Sequence, residues 1–204
     1  YDAKVDDRLS WGDYTAMIEH SAALMAQWTE NGSLFMIHYP EATARLLPYL
    51  EDAGWKFHQW INWVYPSNIG HSKSKFTTAS RTVLWMVRGD PIINIKATHQ
   101  PYRNPNDKRV KAQIAKGKKG VNHYDWWNIN LRKNVGKGYR GWANQLPIEL
   151  IERIILTASN EGSWVGDLMA GSGTLLEVAR PLNRCVYMND ISEDAEKLWM
   201  ELIE

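Results

Sequence analysis

The segment Asp167-Leu-Met-Ala-Gly-Ser-Gly-Thr174 constrains this chain more than any other stretch. An apolar run, Gly162 to Val165 with Trp164, leads into the acid. A Gly-x-Gly turn follows, then Leu175-Leu-Glu-Val-Ala179 with helical character. Strand, tight turn and helix in that order make the start of a nucleotide-type βαβ unit. Glycines reach φ values that other residues avoid and let a backbone approach a ligand closely. The helix N-terminus behind them offers free N–H groups and a partial positive charge. An acid at the strand end suits a ligand bearing hydroxyls or an ammonium group.

Three ligand classes can be tested against the letters. A dinucleotide fingerprint needs a third glycine, and Leu176 stands there. A P-loop ends Gly-Lys-Ser/Thr, but Gly173 is followed directly by Thr174. A nucleophile elbow needs glycine two residues before the serine, and Ala170 precedes Ser172 at that spacing. Two readings stay open: the D-x-x-x-G-x-G pattern of S-adenosylmethionine (SAM) binders, and a plain packing turn. The next stretch, Arg184-Cys-Val-Tyr-Met-Asn-Asp-Ile191, reads as a strand ending in Asp190. An acid there can accept hydrogen bonds from ribose hydroxyls. Ser192 before Glu193 and Asp194 also makes a good helix cap, and both roles can coexist.

Residues 142 to 195 resemble the carboxy half of the amino-group DNA methyltransferases, the N6-adenine and N4-cytosine enzymes, in the circular order that puts the SAM half last. The resemblance is carried by Trp142-Ala-Asn-Gln-Leu-Pro-Ile-Glu, Asp167-Leu-Met-Ala-Gly-Ser-Gly-Thr and Met188-Asn-Asp-Ile-Ser. The family's loop usually reads D-P-F-A-G-S-G-T; here Leu168 and Met169 replace proline and phenylalanine. The family's H-P-T-Q-K-P signature survives only as Gln145 and Pro147. Ile61-Asn-Trp-Val-Tyr-Pro-Ser-Asn68, Phe76-Thr-Thr-Ala79 and Thr82-Val-Leu-Trp-Met-Val87 are similar to its strand, active-site loop and returning strand. The likeness is weakest between about residues 95 and 140.

The resemblance implies SAM as cofactor, held by Asp167, Met169, Ala170, Gly171, Gly173, Thr174, Asp190 and Gln145. It implies duplex DNA as partner, with the target base flipped into the pocket. The family's catalytic tetrapeptide is D/N/S-P-P-Y/F/W, and the chain opens Tyr1-Asp-Ala-Lys as if cut just inside it. Tyr1 is then the aromatic member that stacks on the base, and an ordinary frayed terminus is the bland alternative. The amino nitrogen's lone pair is delocalised into the ring. The tetrapeptide's polar side chain and a proline carbonyl accept the amino hydrogens and aim that lone pair at the methyl group.

Formal net charge is only +1, but it is unevenly spread. Residues 95 to 140 hold Lys96, Arg103, Lys108, Arg109, Lys111, Lys116, Lys118, Lys119, Arg132, Lys133, Lys137 and Arg140, opposed only by Asp107 and Asp125. Such a block suits phosphates or forms a solvated loop; Tyr102, His123, Tyr124, Trp126 and Trp127 within it favour a folded surface. In the family's order this is the place of target recognition. Arg103, Lys108, Arg109, Lys116, Lys118 and Lys119 are its candidate DNA contacts. Lys73 and Lys75 of the loop 66–76 are candidates to reach backbone phosphates.

The remaining elements follow from caps and periodicity. Ser10 with Asp13 caps a helix running toward Thr29 and stopped at Asn31-Gly32. Leu34 to His38 reads as a strand, Glu41 to Ala53 as a helix kinked at Pro48, and Trp55 to Val64 and Thr82 to Val87 as strands. Ile148 to Ala158 has a broad apolar helical face. The resulting expectation is an α/β, Rossmann-like methyltransferase fold. Its central sheet is mostly parallel with helices on both faces, and it carries a basic insert. The chain divides into a catalytic half (1–94), the insert (95–140) and a SAM-binding half (141–204).

No apolar run approaches the roughly 20 residues of a membrane span. The lone Cys185 falls in a core-type strand, so disulfides and cysteine-rich metal sites are unsupported, and a reducing cytoplasm fits. An RNA methyltransferase on the same scaffold, and a catalytically silent SAM- or DNA-binding module, are the alternatives. The target base, the recognition sequence and the oligomeric state are not encoded in any motif.

Overall fold

The computed structural model describes residues 9–66, 73–132, 141–142 and 144–203. Tyr1 lies outside them, as do Lys133, Lys137 and Arg140 of the basic block. Helix α1 (Trp11–Trp28) starts where the capping signal lies: the Ser10 hydroxyl accepts the Asp13 N–H at 3.1 Å. Strand β1 (Gly32–His38) leads into α2 (Pro40–Asp52), with a proline at the first helical position and the helix continuing through Pro48. Strands β2 (Lys56–Val64) and β3 (Ser80–Arg88) follow. The order β1-β3-β2 puts β3 in the centre, antiparallel to both neighbours.

Helices cover both faces of this sheet. On one side Ile18, Ala22 and Ala26 of α1 and Leu46 and Leu50 of α2 pack on Leu84 and Met86. On the other side α4 (Ile148–Ala158) sets Leu150 against Ile61, Trp63, Val83 and Trp85. Residues 83 to 86 are therefore buried whichever way they point, which explains an unbroken apolar run in place of alternation. The indoles are anchored as well as buried. Trp55 donates to the Ala22 carbonyl at 3.0 Å and Trp63 to that of Ile129 at 2.7 Å.

The basic region is woven into the sheet. A short 3₁₀ turn (Ile95–Thr98) packs on α4, α3 (Lys108–Ala115) is capped by the Asp107 carboxylate, and β4 (Trp126–Asn128) extends the edge parallel to β2. After α4 come β5 (Trp164–Asp167), α5 (Thr174–Ala179), β6 (Cys185–Met188) and α6 (Glu193–Ile203). Strands β5 and β6 form a parallel pair, the βα unit read from the glycine segment. Ile37 of β1, Val165 of β5 and Val186 of β6 pack on one cluster with Ile151, Ile155 and Val178, so both sheets share a core.

Two expectations change in detail. The described ladders are evenly split, two antiparallel and two parallel, where strand–helix alternation suggested a mostly parallel sheet. The cause is local: no helix is described between β2 and β3, so that pair needs no crossover and folds back on itself. Cys185 is exposed, not in the core, because β6 turns Cys185 and Tyr187 outward and Val186 and Met188 partly inward. Among the described residues no helix is long and apolar enough to cross a membrane.

Candidate active site

Asp167 ends β5, and Asp190 lies just beyond β6, its parallel neighbour. The backbone locks the two ends together: Asn189 N–H donates to the Asp167 carbonyl at 2.9 Å, and Ala170 N–H to that of Asn189 at 3.0 Å. The Asp190 carboxylate reaches into the turn and accepts the Gly171 N–H at 2.7 Å; its other oxygen accepts the Ser192 N–H at 3.0 Å. Asp167 accepts the Met169 N–H at 2.9 Å. Burial holds the Asp167 carboxyl above the ordinary carboxylate range against that hydrogen bond, and the nearby Asp190 charge raises it further.

Both turn glycines have positive φ, 48° at Gly171 and 74° at Gly173. Their missing side chains are filled by tryptophans. A Cβ on Gly171 would stand 2.8 Å from Trp142 Nε1, and one on Gly173 2.5 Å from Trp199 Cδ1. Trp199 of α6 also donates its indole N–H to the Gly171 carbonyl at 2.9 Å. The motif thus reads out backbone conformation and indole packing at least as directly as ligand approach. Ala170 and Thr174 are buried, and Met169 is exposed.

The segment leading into α4 forms a second wall. Trp142 abuts Gly171, Asn144 turns the chain with φ of 59°, and the Leu146 carbonyl accepts the Thr174 hydroxyl at 3.5 Å. Gln145 between them is only 5% exposed, yet among the described residues neither its amide nitrogen nor its oxygen has a partner. A buried amide left unpaired costs about 1–3 kcal/mol, so such a group marks either strain or a place where another molecule completes the bonds.

Strand β3 adjoins this segment at its start. Arg81 of β3 donates to Asn144 Oδ1 at 3.4 Å, which ties the start of that strand to the segment carrying Gln145. His38, the last residue of β1, pairs in register with Thr82. The candidate cofactor residues Asp167, Met169, Ala170, Gly171, Gly173, Thr174, Asp190 and Gln145 therefore gather at one end of the sheets.

The candidate DNA residues Lys73, Lys75, Arg103, Lys108, Arg109, Lys116, Lys118 and Lys119 are all exposed. Arg109 is drawn back to its own helix cap, 3.4 Å from Asp107, and that hydrogen bond holds the Asp107 carboxyl below its ordinary range. Arg132 at the end of the basic region takes another course. It forms a bidentate pair with Glu177 of α5, at 2.9 and 3.3 Å. That pair joins the basic region to the helix of the glycine turn. Sequence reading missed it, as it missed the packing of Trp142 and Trp199 on the glycine turn, since no motif or spacing links residues so far apart.

A model of the amino-group DNA methylases, N6_N4_Mtase, matches residues 2–201. The chain belongs to this DNA methylase family. Among curated members it is 29% identical over 173 residues to the type II methyltransferase M1.MboII of Moraxella bovis, covering 76% of this chain and 65% of that protein. M.HpaI of Haemophilus parainfluenzae is 28% identical, with 76% and 47% covered. M2.DpnII of Streptococcus pneumoniae is 32% identical, with 75% and 52% covered. The chain thus spans between about half and two thirds of these methylases.

Solved methylases share the fold. The cytosine-N4-specific PvuII DNA methyltransferase superposes with a TM-score of 0.74 at 16% identity, covering 99% of this chain and 74% of that one. The M1.HpyAVI–SAM complex gives 0.71 at 17% identity, covering 94% and 84%. The α/β fold is that of the SAM-dependent methyltransferases.

Proposed function

We propose that this methylase transfers a methyl group from SAM to the exocyclic amino group of adenine (N6) or cytosine (N4) in duplex DNA, working in the cytoplasm. The observation that carries the reading is Gln145, a buried amide with both polar atoms unpaired among the described residues, beside the glycine turn, in a chain of the DNA methylase family. The residues present fit SAM. Gln145 would pair with its polar atoms, and Asp190 would accept from its ribose hydroxyls, since each carboxylate oxygen keeps lone-pair capacity beyond its one backbone bond. Asp167, an anion disfavoured by burial, would gain from a cationic ammonium group nearby. Met169, Ala170, Gly171, Gly173 and Thr174 hold the turn in shape.

SAM supplies a methyl group on a sulfonium, already activated for transfer. The protein's task is then positioning: holding the amino nitrogen in line with the methyl–sulfur bond, accepting hydrogen bonds from its N–H groups so that the lone pair faces the methyl carbon, and excluding water. A base inside a duplex cannot reach the crevice, so it is turned out of the stack. Tyr1 is the proposed stacking residue. Lys73, Lys75, Arg103, Lys108, Arg109, Lys116, Lys118 and Lys119 are the proposed phosphate contacts.

The test is incubation of the full-length protein with methyl-labelled SAM and duplex DNAs of varied sequence, followed by nucleoside analysis. Label in N6-methyladenine or N4-methylcytosine is the expected result. Label only in RNA would replace the reading by an RNA methyltransferase. No label, from a folded protein that binds SAM, would make it a silent module.

A further inference from the structure

Among the described residues Arg81 is a cation without an anion. It stands second in β3, in register with Trp63 of β2, and its guanidinium carbon lies 5.3 Å from the Tyr39 ring centre and 5.7 Å from that of Trp63. Its Nε is buried with no partner, and its hydrogen bond to Asn144 is long at 3.4 Å. Among the described residues it forms no ion pair.

The titratable groups coupled to it do not compensate. Burial, then the Arg81 charge, pushes His38 below its ordinary range, and its Nδ1 accepts the Tyr39 N–H at 2.7 Å. Burial pushes the Tyr65 phenol up, against the Arg81 charge and a hydrogen bond between the two side chains. His38 and Tyr65 are therefore neutral at physiological pH. Among the described residues no carboxylate pairs with this partly buried guanidinium, whose desolvation an anion would offset.

We infer that Arg81 is an oxyanion-binding residue at the start of β3, taking a carboxylate or phosphodiester group of a ligand bound beside Asn144 and Gln145. The two rings orient the guanidinium plane, and its edge carries the paired N–H groups that match a carboxylate or phosphate in bidentate fashion. The link through Asn144 sets it beside Gln145, in the segment whose Trp142 abuts the glycine turn. Anion binding stands on this geometry alone. The identity of the ligand rests on the proposed function, in which two groups qualify: the amino-acid carboxylate of SAM and a phosphodiester of the DNA strand.

The experiment compares the full-length protein with Arg81→Gln and Arg81→Lys. In ligand-free buffer the Gln variant should melt no lower than wild type, because an unpaired charge has been removed; a large drop would make Arg81 a packing residue and overturn the inference. Inorganic phosphate should raise the melting temperature of wild type, less that of the Lys variant, and not that of the Gln variant.

Calorimetric titration then separates the sources. Loss of SAM affinity by about ten- to hundredfold in the Gln variant, with DNA affinity kept, identifies the carboxylate. Loss of DNA affinity with a flatter salt dependence, SAM affinity kept, identifies the phosphodiester. Phosphate response and both affinities unchanged in the Gln variant would end the proposal. An Arg81-dependent phosphate response in a protein that methylates no nucleic acid would keep the anion site and remove only the methyltransferase reading.

Discussion

The Asp190 carboxylate and the Gly171 amide are joined at 2.7 Å across 19 residues of chain. This bond makes the end of β6 a support for the glycine turn. The second Asp190 oxygen accepts the Ser192 N–H, so one side chain bridges the turn to the start of α6. Capping and ligand binding are compatible here. A carboxylate fixed by two backbone donors is held in one orientation before any ligand arrives, which lowers the ordering cost of binding.

Asp190→Ala should weaken SAM binding by about 1–3 kcal/mol, since charge-assisted hydrogen bonds are lost. It should also lower the melting temperature of the ligand-free protein, because the Gly171 and Ser192 amides lose their acceptor. Calorimetry and thermal unfolding on the same sample check both. Lower stability with unchanged SAM affinity would leave Asp190 a purely structural role.

Asp167 carries a pH signature. Its carboxyl is raised above the ordinary range by burial first, so the native state holds the proton more tightly than the unfolded chain. Ligand-free stability therefore declines as pH rises from the ordinary carboxylate range through the raised value, and is flat above it. Asp167→Asn removes that decline and keeps an oxygen for the Met169 amide. The variant should melt at or above wild type at neutral pH, with the gap closing in acid, and should bind SAM more weakly. Melting curves of both proteins from about pH 4 to 8 read the sign directly.

How much was legible beforehand follows the range of each interaction. The α1 cap is a contact between Ser10 and Asp13, three residues apart, and stood in the letters. So did the β5–turn–α5 unit, because φ near 74° at Gly173 is a local demand that glycine meets. The antiparallel centre was not legible: which strand enters between β1 and β2 depends on pairings such as Ile37 with Val83. Nor was the exposure of Cys185, since alternation tells which residues share a face but not which face is covered. Gln145 was singled out through resemblance alone; its unpaired amide emerged only from packing. Arg81 belonged to no motif, and its want of an anion among the described residues is a property of assembled neighbours.

Gly173→Ala should be costly for two separable reasons. Its φ of +74° strains any L side chain, and the new Cβ would meet Trp199 Cδ1 at 2.5 Å. A loss of about 1–3 kcal/mol in chemical denaturation is the expected outcome. The double variant with Trp199→Ala should relieve only the steric part. Full recovery in the double variant would mean that the left-handed backbone costs nothing here.

The exposed lysines after α3 give the last prediction. Lys116, Lys118 and Lys119 are exposed, and no ion pair among the described residues involves them. If they neutralise phosphates, each contact releases counterions, and affinity for duplex DNA falls linearly on a log–log plot against salt. Replacing all three by alanine should flatten that slope by up to about 0.9 per lost contact. SAM affinity should stay at the wild-type value, because the glycine turn, Asp190 and Gln145 are untouched. The Arg132–Glu177 pair supplies the contrast: it ties the same basic region to α5 through a largely buried bidentate bridge, so Arg132→Ala should lower stability as well as binding. Affinity measured from about 50 to 200 mM salt separates the two behaviours. A wild-type slope in the triple variant would make these lysines a solvated surface and move the phosphate contacts to other cations.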